Sequence, residues 1–184
     1  MKIIVGISGA SGAIYGIRLL EELKKANVES HLVISKWAAY TMERETDYNL
    51  EMVIQLADYH YDAENMAAKI SSGSFRTEGM VIMPCSMKTL GGIANGIGSD
   101  LLCRGADVCL KERRKLLLVV RETPLNTIHL ENMLKLSRMG TIIMPPVPAF
   151  YNNPETIDDI VNQTVGRVLD QFGIESDILK RWEG

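Results

Sequence analysis

Residues 3–16 read IIVGISGASGAIYG. Ile3 to Ile7 form an apolar run, Ser8 to Gly12 a small-residue turn, and from Ile14 onward apolar residues recur at helical spacing. A buried strand that passes through a Gly/Ser turn into an amphipathic helix is the building unit of an α/β sheet. Gly6, Gly9 and Gly12 each cost conformational entropy on folding, so three in one connection imply that something approaches the backbone closely. The spacing matches neither GxGxxG nor GxxxxGK[ST]. What remains is a turn opening a helix, whose free amides favour an anion, most simply a phosphate, with Ser8 and Ser11 as additional hydroxyl donors. A tight strand-to-helix turn without any ligand is the alternative.

The same alternation continues outward from this unit. His31–Ser35, Met80–Pro84, Leu116–Arg121 and Thr141–Met144 are short and apolar or β-branched, as buried parallel strands are. Helical spacing recurs at Ile14, Ile17, Leu20 and Leu23, at Ile128, Leu130, Met133 and Leu134, and at Ile157, Ile160, Val161, Val165 and Val168. Ser99 or Asp100 is placed to cap a helix through Leu101, Cys109 and Leu110. Neither repeats nor a linker interrupt the pattern. The expectation is one α/β domain over 1–184, a doubly wound, mostly parallel open sheet in a three-layer sandwich. In such sheets ligands sit at the carboxyl ends of the strands.

Composition narrows the function. The 184 residues carry a net charge of −3 with 46% hydrophobic content, which suits a single core and not a general nucleic-acid binder. Basic residues cluster only locally, at Lys111 to Lys115. No apolar run is long enough to span a bilayer, and the N-terminal run is too short and Gly-rich for a signal peptide. Cys85, Cys103 and Cys109 lack CxxC spacing, so the expectation is a reducing, cytoplasmic setting without zinc or disulfides. His31, His60 and His129 have no partner at metal-ligand spacing.

The strand-end loops supply the candidate residues. Ser35 caps a helix or donates to a ligand. Ser71-Ser72-Gly73-Ser74-Phe75-Arg76 is polar and flexible by composition. Met83-Pro84-Cys85-Ser86-Met87-Lys88-Thr89-Leu90 places small donors and a charge at a strand end, with Cys85 a buried thiol and not a nucleophile. Arg121-Glu122 sets a cation beside an anion. Three prolines, Pro145, Pro146 and Pro148, stiffen a segment that leads to Phe150 and Tyr151 as a pocket wall. Trp182, close to the chain end, reads as a docking residue.

Taken together, GASGAIYGIRLL, SSGSF, MPCSMKTL, GADVCLKERRKLLLVVRETPL, HLENMLKLS and MPPVPAFY resemble the UbiX/Pad family of flavin prenyltransferases, essentially from end to end. The resemblance implies a Rossmann- or flavodoxin-like fold. It also implies an activity that joins the dimethylallyl group of dimethylallyl monophosphate to N5 and C6 of reduced FMN, without a metal. The prenylated FMN would serve a UbiD-type aromatic acid decarboxylase. By the same resemblance Gly9, Ala10, Ser11, Ser35, Ser86, Met87, Lys88, Thr89 and Arg121 contact FMN. Tyr151, Arg167 and Lys111, with Arg104 as a further basic residue, hold the prenyl phosphate. Glu45, Glu122 and Trp182 serve the chemistry, and Ser11 relays a proton or only donates to FMN. The family site is assembled between subunits of a dodecamer.

That residue set suits the reaction. Cations and the Tyr151 hydroxyl neutralise a leaving phosphate, an indole face stabilises a developing allyl cation, and a carboxylate moves the proton lost on ring closure. Three rivals stand beside it. FMN-dependent cysteine decarboxylases carry a PASANT-like motif that PCSMKT replaces here; the others are direct aromatic-acid decarboxylation and FMN binding without prenyl transfer.

Overall fold

The computed structural model describes residues 1–182. The chain runs β1 (Lys2–Ile7), α1 (Ala13–Lys25), β2 (Glu29–Ile34), α2 (Lys36–Glu45), α3 (Leu50–Ile54), β3 (Tyr59–Asp62) and a 3-10 turn at Lys69–Ser71. It continues through β4 (Gly79–Cys85), α4 (Met87–Ala94), α5 (Leu101–Lys111), β5 (Lys115–Val120), α6 (Thr127–Arg138), β6 (Ile142–Ile143) and α7 (Ile157–Gln171). The strands form one sheet in the order β3-β2-β1-β4-β5-β6, and every neighbouring pair is parallel. This is the doubly wound α/β sheet expected from the alternating pattern.

Both faces of the central strands are covered, which is why their sequences are continuous apolar runs. Ile3, Val5 and Ile7 of β1, with Val81 and Met83 of β4, pack under α1 and α7. Ile4, Met80, Ile82, Leu116 and Leu118 point to the other face, under α4 and α5. Helix starts are set by side-chain caps: Ser35 for α2, Asn49 for α3, Ser86 for α4, Asp100 for α5, Asn126 for α6 and Thr156 for α7. Of the two caps considered for α5, Asp100 acts, its carboxylate accepting from the Cys103 amide at 2.9 Å.

Two elements differ from the sequence reading. β3 was not among the apolar blocks, because this four-residue edge strand reads Tyr-His-Tyr-Asp and is largely exposed. β6 is reduced to two residues. Helix α6 forms where its periodicity puts it, but Ile128, Leu130 and Leu134 are 65%, 52% and 50% exposed, and Leu136 is its buried residue. No helix among the described residues is long and apolar enough to cross a membrane.

Candidate functional site

All six strands end on one edge of the sheet. The crossover from β1 leads towards β3 and the crossover from β4 towards β6, so the loops leaving these two adjacent strands diverge and open a crevice.

On the β4 side, the Ser86 hydroxyl accepts from the Thr89 amide at 3.3 Å and donates to the Thr89 hydroxyl oxygen at 3.1 Å. Thr89 therefore keeps its own hydroxyl proton. The first-turn amides of Met87 and Lys88 have no partner within α4, as at any helix start. An exposed Lys88 adds positive charge. Free amides, a hydroxyl proton and a lysine at one helix start are chemistry that suits an anion.

On the β1 side, the three glycines have separate structural reasons. A Cβ on Gly6 would lie 2.6 Å from Leu102 Cδ2, and one on Gly9 would lie 2.6 Å from Trp37 Cβ. Gly12 sits in the left-handed region, with φ +97. The close approach inferred from the glycines is thus made, at Gly6 and Gly9, by the protein itself. Ser8, expected as a ligand donor, is 1% exposed and turned inward. Ala10 and Ser11 stay half-buried at the turn. Glu45, at the end of α2, reaches across so that its Oε2 accepts from the Gly12 amide at 2.7 Å. Ser35 Oγ accepts from the Ala38 amide at 3.1 Å, and no acceptor among the described residues takes its proton.

After β5, Arg121 and Glu122 do not form an ion pair among the described residues; Glu122 Oε1 accepts instead from the Thr123 amide at 3.0 Å. Both side chains are exposed. They border a cleft of about 630 Å³, shared with Ser11, Gly12, Tyr15, Val120, Leu125 and the Pro145–Pro148 segment. The prolines line this cleft directly, whereas Phe150 is 71% exposed. Tyr15, which sequence reading missed, forms part of the wall, and burial raises its phenol above the ordinary tyrosine value. Only its position one turn into α1, facing the glycine turn, could have pointed to it.

Beyond the prolines, Tyr151 and Trp182 meet edge to face, with ring centroids 5.7 Å apart. Gln163 donates to the Tyr151 hydroxyl oxygen at 3.2 Å, and no acceptor among the described residues takes the Tyr151 proton. Arg167 lies on the same helix as Gln163 and shares Asp170 with Arg181. Sequence reading did not single out Gln163.

Lys111 is not brought to this edge, and Arg104, in the first turn of α5, is not among the residues that line the cleft. Helix α5 runs back along the sheet, and Lys111 ends it four residues before β5 begins at Lys115. There Lys111 pairs with Glu112 and borders a second, cation-rich cavity of about 730 Å³ with Arg113, Arg114, Lys115 and Arg138. Arg104 donates to the Ser71 carbonyl at 3.1 Å and to Asp107 at 2.7 Å.

All three cysteines are free and buried, Cys85 among them as its strand-end sequence implies. Burial pushes the Cys85 thiol far up, Cys109 to about 12 and Cys103 to about 11, so none offers a thiolate near neutral pH. Among the described residues no group of three or more His, Cys, Asp or Glu is placed to hold a metal ion.

The flavoprotein family matches residues 1–169. The chain is 58% identical over 184 residues to a Bacillus subtilis (strain 168) protein named "Probable UbiX-like flavin prenyltransferase", covering 100% of this chain and 90% of the relative. A dodecameric FMN-dependent UbiX-like decarboxylase from Escherichia coli O157:H7 has the same fold, with a TM-score of 0.99, 59% identity and both chains wholly covered. AnUbiX (PadA1), solved in complex with FMN and dimethylallyl pyrophosphate, gives a TM-score of 0.98 and 53% identity over 100% of this chain and 97% of that one.

Proposed function

The chain belongs to the UbiX family of flavin prenyltransferases, and from that membership we propose how its strand-end residues divide the reaction. The reaction joins a dimethylallyl group, taken from dimethylallyl monophosphate, to N5 and C6 of reduced FMN. The observation that carries this reading is the union of two features on one edge: a donor-rich α4 start in the β1/β4 crevice, and the adjoining 630 Å³ cleft.

Ser86, Met87, Lys88 and Thr89 take the FMN phosphate, because free first-turn amides and the Thr89 hydroxyl favour an anion there. Gly9, Ala10, Ser11 and Ser35 flank the flavin from the β1 and β2 ends, and the exposed Arg121 guanidinium contacts it from β5. Reduced FMN supplies the nucleophile for the allyl carbon. Tyr151 donates its free proton to the departing phosphate, and Arg167 supplies positive charge from α7. The Trp182 indole offers its face to the developing allyl cation, an interaction worth about 0.5–2 kcal/mol. Glu45, fixed by the Gly12 amide, and Glu122, at the cleft rim, are the carboxylates that move the proton lost on ring closure. Ser11, which lines the same cleft as Glu122 and precedes the Gly12 that holds Glu45, relays it.

Arg104 and Lys111 reach the prenyl phosphate from a neighbouring subunit. The distance of Lys111 from the cleft within one chain, the absence of Arg104 from its lining and the exposed apolar face of α6 support assembly, as a dodecamer like the Escherichia coli relative. The single domain works in a reducing, cytoplasmic setting, which its free cysteines suit. Its product serves a UbiD-type aromatic acid decarboxylase.

The test is anaerobic mass spectrometry of the flavin after reduced FMN meets dimethylallyl monophosphate, with the pyrophosphate run in parallel. The expected result is a gain of one prenyl unit. Bound FMN without that gain, or release of CO2 from a hydroxybenzoate or a cysteine thiol without any partner enzyme, refutes the reading.

A further inference from the structure

Ser8 lies at the floor of the β1/β4 crevice, where it joins the two turns that border it. Its amide donates to the Pro84 carbonyl at 3.2 Å, and its hydroxyl donates to the same oxygen at 2.9 Å. The Ser86 amide donates to Ser8 Oγ at 2.7 Å. At 1% exposure, with its one hydroxyl proton committed to Pro84, Ser8 has nothing left to offer a ligand. The chain of bonds nevertheless continues outward. Ser86 passes its own proton to Thr89 Oγ1, and no acceptor among the described residues takes the Thr89 proton.

We propose that Ser8 is a positioning residue for flavin binding: through Ser86 it sets where the α4 start stands relative to the β1 turn. This rests on the reading of that turn as the FMN phosphate site. The physical case is that a fully used buried hydroxyl between two loops fixes their separation, and successive hydroxyls polarise one another along the chain. Removing Ser8 Oγ leaves the half-buried Ser86 amide without its partner and leaves only the Ser8 amide bond to Pro84 between the two turns, so their spacing is less firmly set.

FMN and riboflavin differ only in the phosphate, so their comparison isolates the effect. In the complete oligomer, Ser8→Ala is expected to raise the FMN dissociation constant about tenfold while the riboflavin constant stays within twofold. Ser8→Thr, which retains the hydroxyl, is expected to restore FMN binding to within about threefold. Unchanged FMN affinity in Ser8→Ala, or equal weakening of FMN and riboflavin, overturns the positioning role. Should Ser8→Ala not fold, the near-isosteric Ser8→Cys, with a weak hydrogen-bonding thiol, is judged by the same split. Wild-type protein that binds riboflavin as tightly as FMN would instead overturn the phosphate reading itself.

Discussion

Gly16 in α1 and Gly91 in α4 invite the same substitution with opposite results. Alanine in a helix interior is favoured over glycine by about 0.8–1 kcal/mol. At Gly91 that gain is unopposed, since the added Cβ would find only Asn132 Nδ2, at 3.6 Å. At Gly16 the Cβ would lie 2.3 Å from the Met83 carbonyl oxygen and 2.9 Å from two carbons of Ile7. That carbonyl belongs to β4 and cannot rotate away, so α1 must withdraw by several tenths of an ångström. The gap would loosen the wholly buried Ile17, Leu20 and Leu23 against the sheet. Overpacking of this kind costs about 1–3 kcal/mol, more where backbone is struck, and outweighs the helix gain. Taking about 2–3 kcal/mol because a carbonyl is struck, the net loss at Gly16 is about 1–2 kcal/mol. With about 2–4 °C per kcal/mol for a chain of this length, Gly16→Ala should lower Tm by roughly 2–8 °C and Gly91→Ala raise it by roughly 2–4 °C. Scanning calorimetry at fixed protein concentration measures both. Because α1 carries the turn at Ser11 and Gly12, Gly16→Ala should also weaken FMN binding. A Gly16→Ala protein as stable as the parent would refute the argument that α1 is pressed onto β4 without room for a methyl group.

Lys111→Ala should lower kcat/KM for dimethylallyl phosphate about 10–100-fold, the worth of a charge-assisted bond, with the FMN dissociation constant unchanged; steady-state kinetics at saturating FMN decides, and an unaltered value removes Lys111 from the site. Glu45→Gln keeps an oxygen for the Gly12 amide but loses the carboxylate, so FMN should still bind while prenylation slows by about 100-fold or more in single-turnover assays; a near-normal rate would acquit Glu45 of proton transfer. Stability should depend on pH through His31, whose value is lowered by burial, opposed by its bond to Glu29 and reinforced by Lys69. Between the lowered folded value and the ordinary one near 6.5 the unfolded chain binds more protons, so this contribution is complete above about pH 6.5 and declines as pH falls below it. Melting scans from pH 7.5 down to 5.5 should show a shallower loss in His31→Gln than in the parent protein, and parallel curves would contradict the assignment.

The fold was readable where burial is two-sided. β1, β4 and β5 are covered on both faces, so their apolar runs are uninterrupted and hard to mistake. β3 escapes that logic because an edge strand of four residues buries little, and Tyr59 to Asp62 present no apolar run. The periodicity of α6 is equally plain in the sequence, yet a period reports only that one face is apolar, not whether the chain's own sheet or another subunit covers it. Ile128, Leu130 and Leu134 recur as a core stripe would, and this chain leaves them exposed.

The site was readable as a set of loops and not as a set of roles, because roles depend on partners far away in sequence. Ser8 and Ser11 stand three positions apart in one turn and read alike. The structure turns Ser8 inward, to an amide 78 residues away, and leaves Ser11 on the wall of the cleft. Glycine shows the same limit: the sequence says that Gly9 must lack a side chain, and only the packed molecule says that Trp37 is what crowds it. Glu45 carries no local sign of its place at all. Its carboxylate belongs to the β1 turn because α2 is just long enough to carry it back to Gly12, a consequence of where Ser35 starts that helix.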